Sequence, residues 1–213
     1  MKVILVLMTS CLLLGTALAQ QRKGMGVIYG TVVSQTGQPG QRMNLYAELL
    51  DATGQFPTTQ SNDHGEYRFE NLPIGRYKVL AEDHDAGYSP EVLDDDDSRA
   101  FVEISDRHPE AEFRVVLPPK AGFLEIKLTN RKTGAPISWM GVSLARSEKP
   151  EHSFLSSTCK SNEVILVPPD KNLVVHVLAE GFREWDESVG AGKTIFVPSG
   201  TRLVLDVRLN PIP

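Results

Sequence analysis

Cysteine is nearly absent from this chain. Of 213 residues only Cys11 and Cys159 are cysteines. Cys11 falls inside an apolar N-terminal run, so the remainder of the chain has one thiol and can form no internal disulfide. An exported chain without disulfides must be held together by its hydrophobic core. Cys159, between Thr158 and Lys160, reads as a half-buried residue ahead of an exposed, dimer-forming thiol. Long apolar runs are also missing beyond the N-terminus, so no later segment reaches the ~20 residues of a membrane-spanning helix. Positive charge is not in excess: 22 basic against 27 acidic residues give a net charge of -5. That balance offers a polyanion no electrostatic attraction, and nucleic acid is not an expected partner. Helical periodicity is absent too, because no long segment repeats its apolar residues at 3.6.

What is present begins with MKVILVLMTSCLLLGTALAQ. Lys2 precedes the apolar run Val3 to Leu14, and Ala17-Leu18-Ala19 is a small-x-small pattern. Together they read as a secretory signal peptide over 1–19, cleaved before Gln20. An uncleaved anchor ranks behind it because the run is short. Lipidation does as well, because Cys11 is not at the cleavage point. Processing leaves about 190 residues, enough for one large domain or two smaller ones.

The remainder repeats itself. GVIYGTVVSQTGQPGQRMNLYAEL at 26–49 is echoed by GFLEIKLTNRKTGAPISWMGVSLA at 122–145. Gly37 and Pro39 have counterparts in Gly134 and Pro136, and Val79-Leu80-Ala81-Glu82 returns as Val177-Leu178-Ala179-Glu180. Landmarks recurring at one offset of about 97 residues indicate duplication, with a period long enough for each copy to be a domain. The expected domains are 20–119 and 120–213, joined at Pro118-Pro119-Lys120-Ala121-Gly122, a short proline-stiffened link that sets the copies end to end with limited freedom.

Within each copy the apolar period is two. Leu124, Ile126 and Leu128 share one face, with Glu125, Lys127 and Thr129 on the other. Leu173, Val175, Val177 and Ala179 lie together, as do Leu203, Leu205, Val207 and Leu209. Such alternation, broken by Gly and Pro turns, predicts strands with one buried face. The fold class is therefore all-β, two tandem Ig-like β-sandwiches.

The stretch SNDHGEYRFENLPIGRYKVLAED at 61–83 shows how such a body is built. Asp63-His64-Gly65 is a turn with Gly65 free to take positive φ. Tyr67 and Phe69 share a strand face, Leu72-Pro73-Ile74-Gly75 is a second turn, and Tyr77, Val79 and Ala81 alternate inward. Buried rings supply the area that a disulfide-free sandwich needs.

The pattern D-x-G-x-Y-x-F-x-x-L-P-x-G-x-Y resembles the signature of carboxypeptidase regulatory-like domains, within the transthyretin-like β-sandwich group. GTVVSQTGQP at 30–39 resembles that family's opening strand and turn, and Gly87-Tyr88-Ser89-Pro90 its follow-on. The likeness covers residues 24–119. The second copy keeps the ends of the pattern, but SNEVILVPPDKNLVVHV lacks the Gly-x-Tyr-x-Phe centre. The resemblance implies a seven-stranded, non-catalytic accessory module of exported bacterial proteins.

Reactive readings rank lower. Intradiol dioxygenases share the turn-strand-turn-strand segment but need a His-x-His pair for iron, and none of His64, His84, His108, His152 and His176 stand so. Transthyretin-like ureide hydrolases end in Tyr-Arg-Gly-Ser, whereas this chain ends Asn210-Pro211-Ile212-Pro213. A Lys–Asn isopeptide bond, as in collagen-adhesin repeats, would use Lys127 and Asn210, but strand parity turns Lys127 away from the core. Asp94 to Asp97 read as a solvated loop ahead of a calcium site, since adjacent carboxylates repel and calcium loops alternate their ligands around a Gly bend. No Gly-x-Ser-x-Gly elbow occurs, and GAGKT at 190–194 lacks the phosphate-loop spacing.

Aromatic residues are few, and Trp139, Trp185, Phe182 and Tyr88 are the ones that a sugar could stack on. Trp185, among charged neighbours, and Tyr88 are the ligand-contact candidates. No catalytic residue, metal ligand or cofactor is expected. The leading expectation is an exported, non-catalytic scaffold or interaction protein at the cell envelope or outside the cell, with a protein or carbohydrate partner. A carbohydrate-binding module ranks second and a metal-dependent enzyme third. Secretion from a competent host should yield an intact mass for a chain beginning at Gln20. A secreted chain that retains Met1 would remove the signal peptide from this reading.

Overall fold

The computed structural model describes residues 25–50, 56–93, 100–185 and 193–213. The leader, its cleavage point and Asp94–Asp97 lie outside the described residues. Among the described residues the regular structure is almost entirely strand. The first half runs through β1 (Met25–Val33), β2 (Asn44–Leu49), β3 (Thr58–Gln60), β4 (Glu66–Pro73) and β5 (Gly75–Glu82). A four-residue helical turn, α1 (Pro90–Leu93), precedes β6 (Val102–Ile104), β7 (Glu110–Glu112) and β8 (Val115–Val116). The second half is β9 (Gly122–Asn130), β10 (Trp139–Arg146), β11 (Ser153–Lys160), β12 (Val164–Val167), β13 (Asn172–Leu178), β14 (Lys193–Phe196) and β15 (Arg202–Leu209).

The two halves share one topology. In the first, β1 lies between β4 and the pair β7 and β8, and a second sheet runs β3-β2-β5-β6. In the second, β9 lies between β12 and β15, and the facing sheet runs β11-β10-β13-β14. The last strand of each half pairs parallel to the first: β7 and β8 with β1, and β15 with β9 over eight residues. The duplicated turn landmarks also coincide. Pro39 bridges back to Val33, and Pro136 to Thr129.

Two separate apolar cores follow from the alternation. One gathers Ile28, Val32, Leu45, Tyr67, Phe69, Leu72, Tyr77 and Ile104 among others. The other gathers Leu124, Ile126, Leu128, Met140, Leu144, Leu173, Val175 and Val177 among others. Each large side chain so buried contributes about 1.5–3 kcal/mol relative to exposure. Val174, expected on the outer face, is also buried.

The residues quoted from the first half are spent on shape. Asn62 Oδ1 accepts the N–H groups of His64 and Glu66, both at 2.9 Å, and Gly65 takes φ 78°. The Tyr67 and Phe69 rings meet edge to face at 5.8 Å. Tyr77 donates its hydroxyl to the Pro73 carbonyl at 2.6 Å. Tyr67 donates to the Phe113 carbonyl at 2.7 Å, at the point where the last strand breaks between β7 and β8. Gly30, directly opposite Tyr67 in the ladder, makes room for that break, since a Cβ on it would lie 1.9 Å from the Phe113 oxygen.

The second half reaches the same packing differently. Leu124 pairs with Ile165 as Ile28 pairs with Phe69, so Ile165 stands where Phe69 does. The turn before β12 is shorter, with Asn162 at φ 70°, a conformation that Asn tolerates. β12 therefore stops opposite Glu125, and the register partner of Ile126 is Leu205 of β15 on its other side. The last strand, β15, runs unbroken there. The signature has no counterpart in this copy, where Ile165 takes the place of Phe69 and β12 ends before the level of Tyr67.

The joint between the halves is hydrogen-bonded on both sides. Ala121 is fully buried, its N–H bonds to the Gly87 carbonyl at 2.8 Å, and its own carbonyl accepts from Gly200 N–H at 3.1 Å. Ser199 Oγ donates to the Lys120 carbonyl at 3.0 Å.

Burial pushes the Tyr67 phenol well above its ordinary value near 10. The unfolded chain then ionises this tyrosine first, and above about pH 10 the folded state holds the extra proton. The resulting stabilisation is fully present below about pH 10 and declines as pH rises toward the folded value. Tyr67→Phe should cost about 1 kcal/mol near neutrality, for the lost hydrogen bond, and should flatten the alkaline decline. Urea midpoints measured across that range check both. An unchanged alkaline slope would contradict the assignment.

Candidate functional site

Cys159 is buried at 8% exposure, and burial, followed by the charge of Glu163, pushes its thiol up. Lys127 is exposed, with Nζ 3.8 Å from Glu125 Oε1. Among the described residues no group of three or more His, Cys, Asp or Glu side chains stands close enough to hold a metal ion. No helix among them is long and apolar enough to cross a membrane.

Tyr88 and Trp185 belong to different parts of the molecule. Tyr88 is half-buried against the first core, with Lys120 Nζ 5.5 Å above its ring, beside the joint. Asp83 and Tyr88 bond each other's backbone in a tight loop. Desolvation, and then the Asp83 charge, raises the Tyr88 phenol. Trp185 packs half-buried on the second core, and its backbone N–H bonds the Val177 carbonyl at 3.0 Å. Charged neighbours in sequence do not carry this ring into solvent. The more open indole is Trp139, 56% exposed, with Lys160 Nζ 5.6 Å over one side of it.

Trp139 stands on the outer face of the β11-β10-β13-β14 sheet. Met140, Val142 and Leu144 point to the core, so Trp139, Gly141 and Ser143 point out. Cross-strand register then builds rows. Lys160 is opposite Trp139, Gly141 lies between Thr158 and Leu178, and Ser143 between Ser156 and His176. A groove of about 310 Å³ runs over these rows, lined by Gly141, Ser143, Ser156, Thr158, His176 and Leu178. Leu178 is 51% exposed within it. His176 is fixed by Glu184, with Nδ1 to Oε1 at 2.8 Å, which sets the ring's orientation. Ser143 Oγ is 2.8 Å from Ser153 Oγ.

The same face of the first half is different. The Val-Leu-Ala-Glu repeat equates Leu80 with Leu178, and register then equates Tyr46 with Gly141 and the pair Glu48 and Lys78 with Ser143 and His176. Tyr46 stacks on Phe56 with ring centroids 6.5 Å apart. The first half thus covers with its own rings a place that Gly141 leaves open in the second. The groove escaped the sequence reading because its lining residues come from three strands whose register was unknown.

Comparison with known proteins bears on the first half most directly. Residues 27–96 match the carboxypeptidase regulatory-like domain. That span holds all but the first two residues of β1, strands β2 to β5, and the turn α1, so the regulatory-like signature and the observed turns coincide. No curated protein matches the chain. Among solved structures, a streptococcal ancillary pilin is similar at 15% identity and a TM-score of 0.43, covering 90% of this chain and 64% of its own. The chain therefore spans less than two thirds of that protein. The minor pilin GBS52 of Streptococcus agalactiae is similar at 12% identity and a TM-score of 0.39, over 88% of this chain and 97% of its own. The D295N shaft pilin of Lactobacillus rhamnosus GG is similar at 11% identity and 0.35, over 89% and 99%.

The burial of Cys159 has a direct readout. Native protein should react with iodoacetamide at least about tenfold more slowly than urea-unfolded protein at the same pH, because the thiolate is both scarce and shielded. Equal rates, followed by mass spectrometry, would show the thiol to be open.

Proposed function

We propose that the protein is an exported, non-catalytic interaction module acting at the cell envelope or outside the cell. In this reading residues 1–19 are removed, and 20–119 and 120–213 are two β-sandwich domains. The supporting observation is the division of labour between the duplicated sheets. The signature residues of the first half are committed to turns and core, while the second half leaves an open, structured face around Gly141. The joint at Ala121, bonded to both halves, supports a scaffold role, because it holds that face in a defined relation to the first half.

Chemistry points the same way. In the groove the Ser143 hydroxyl is engaged with Ser153 and the His176 ring with Glu184. Loops and sheet faces held on a rigid body suit recognition instead.

Purified mature protein should bind envelope material of its source cells. Replacing Leu178 by Asp should weaken that binding about tenfold or more, while the same change at Leu80, its counterpart in the first half, should leave it unchanged. Equal effects of the two substitutions, or no binding at all, would overturn the proposal.

A further inference from the structure

The groove on the second half has features that define its occupant. Its lining side chains include no Asp, Glu, Lys or Arg. At the equivalent place in the first half, Glu48 and Lys78 face each other across the ladder. A charged ligand would find no counter-charge among the lining residues, while an uncharged one meets no unpaired charge. The lining is instead rich in hydroxyls, Ser143, Ser156 and Thr158, each able both to donate and to accept.

The shape carries the second half of the inference. The first half fills the corresponding position with the flat Tyr46 ring stacked on Phe56, while Gly141 leaves it vacant beside exposed Leu178. A Cβ at Gly141 would meet only Leu178 Cβ, at 3.8 Å, so the space is open rather than filled from elsewhere. The vacancy is thus of the kind a flat ring occupies. An apolar patch next to hydroxyls matches a pyranose, whose ring presents C–H groups on its faces and hydroxyls at its rim. Trp139, two residues along the same strand face, offers a stacking surface to the next unit.

We propose that this groove binds a neutral oligosaccharide, with one ring seated over Gly141 against Leu178, and its hydroxyls bonded to Ser143, Ser156, Thr158 and His176. This rests on the reading of the protein as an interaction module and names the ligand class of its open face. No bond is made or broken.

Calorimetric titration of the mature protein with cellotetraose and with chitotetraose tests it. At least one should bind saturably. Gly141→Tyr, which restores the ring present in the first half, should weaken binding at least about tenfold with the melting temperature retained. Ser143→Glu, which restores the charge of Glu48, provides a second variant should the tyrosine disturb folding, and should weaken binding similarly. Absence of saturable binding by either sugar, or binding undiminished in the folded variants, overturns the proposal. Envelope binding that depends on Leu178 without any sugar binding would assign the face to a protein partner. That outcome overturns the oligosaccharide and leaves the interaction module standing.

Discussion

Everything in this molecule depends on the parallel pairing of the last strand of each half with its first. β15 follows β9 residue by residue from Arg202 to Leu209, and β7 and β8 do the same along β1. A parallel pair starts at one end of a sheet and finishes at the other. The chain therefore enters each half at one end and leaves it at the opposite end. The joint at Ala121 links the two units by hydrogen bonds to Gly87 and from Gly200.

With no disulfide available, the sandwiches are held by apolar burial and by how well the two sheets fill the space between them. The halves show two solutions at one level of the core. Gly30 facing Tyr67 gives a thin residue and a thick one, with the Tyr67 hydroxyl bonding the carbonyl of a broken last strand. Ile126, beyond the end of β12, pairs instead with Leu205 of an unbroken last strand. The residue pattern differs while the strand order is kept, and cores tolerate apolar exchanges of that kind. This is why a family signature is legible in one copy and absent from the other although the strand order is the same.

The two halves also differ on their outer sheet faces. The first copy retains the recognisable turns and covers its outer sheet with charge and with the Tyr46–Phe56 stack. The second carries neither the signature nor those covering side chains, and its outer sheet presents hydroxyls, Leu178 and Trp139. Residues that face the core and residues that face outward are separated by strand parity. One set can therefore change without the other.

Much of the architecture was legible in the chain itself. Alternation with a period of two identified the strands, since successive side chains on a strand point to opposite faces. The repeat at Gly37-Gln38-Pro39 and Gly134-Ala135-Pro136 revealed the duplication, because turn geometry restricts those positions to few residue types. Such signals are local and survive in any one segment read alone. The outer groove was not legible. Gly141, Thr158 and Leu178 become neighbours only when β11, β10 and β13 take their register, and nothing local to any of the three specifies it. Trp185 and Trp139 make the same point in reverse. Charged neighbours in sequence suggested that Trp185 was open, but Val177 and the second core draw it inward, and the open ring is Trp139. Which face a residue takes is set by the strand it sits on. Which residues it meets there is set by pairing between distant strands, and only the folded structure decides that.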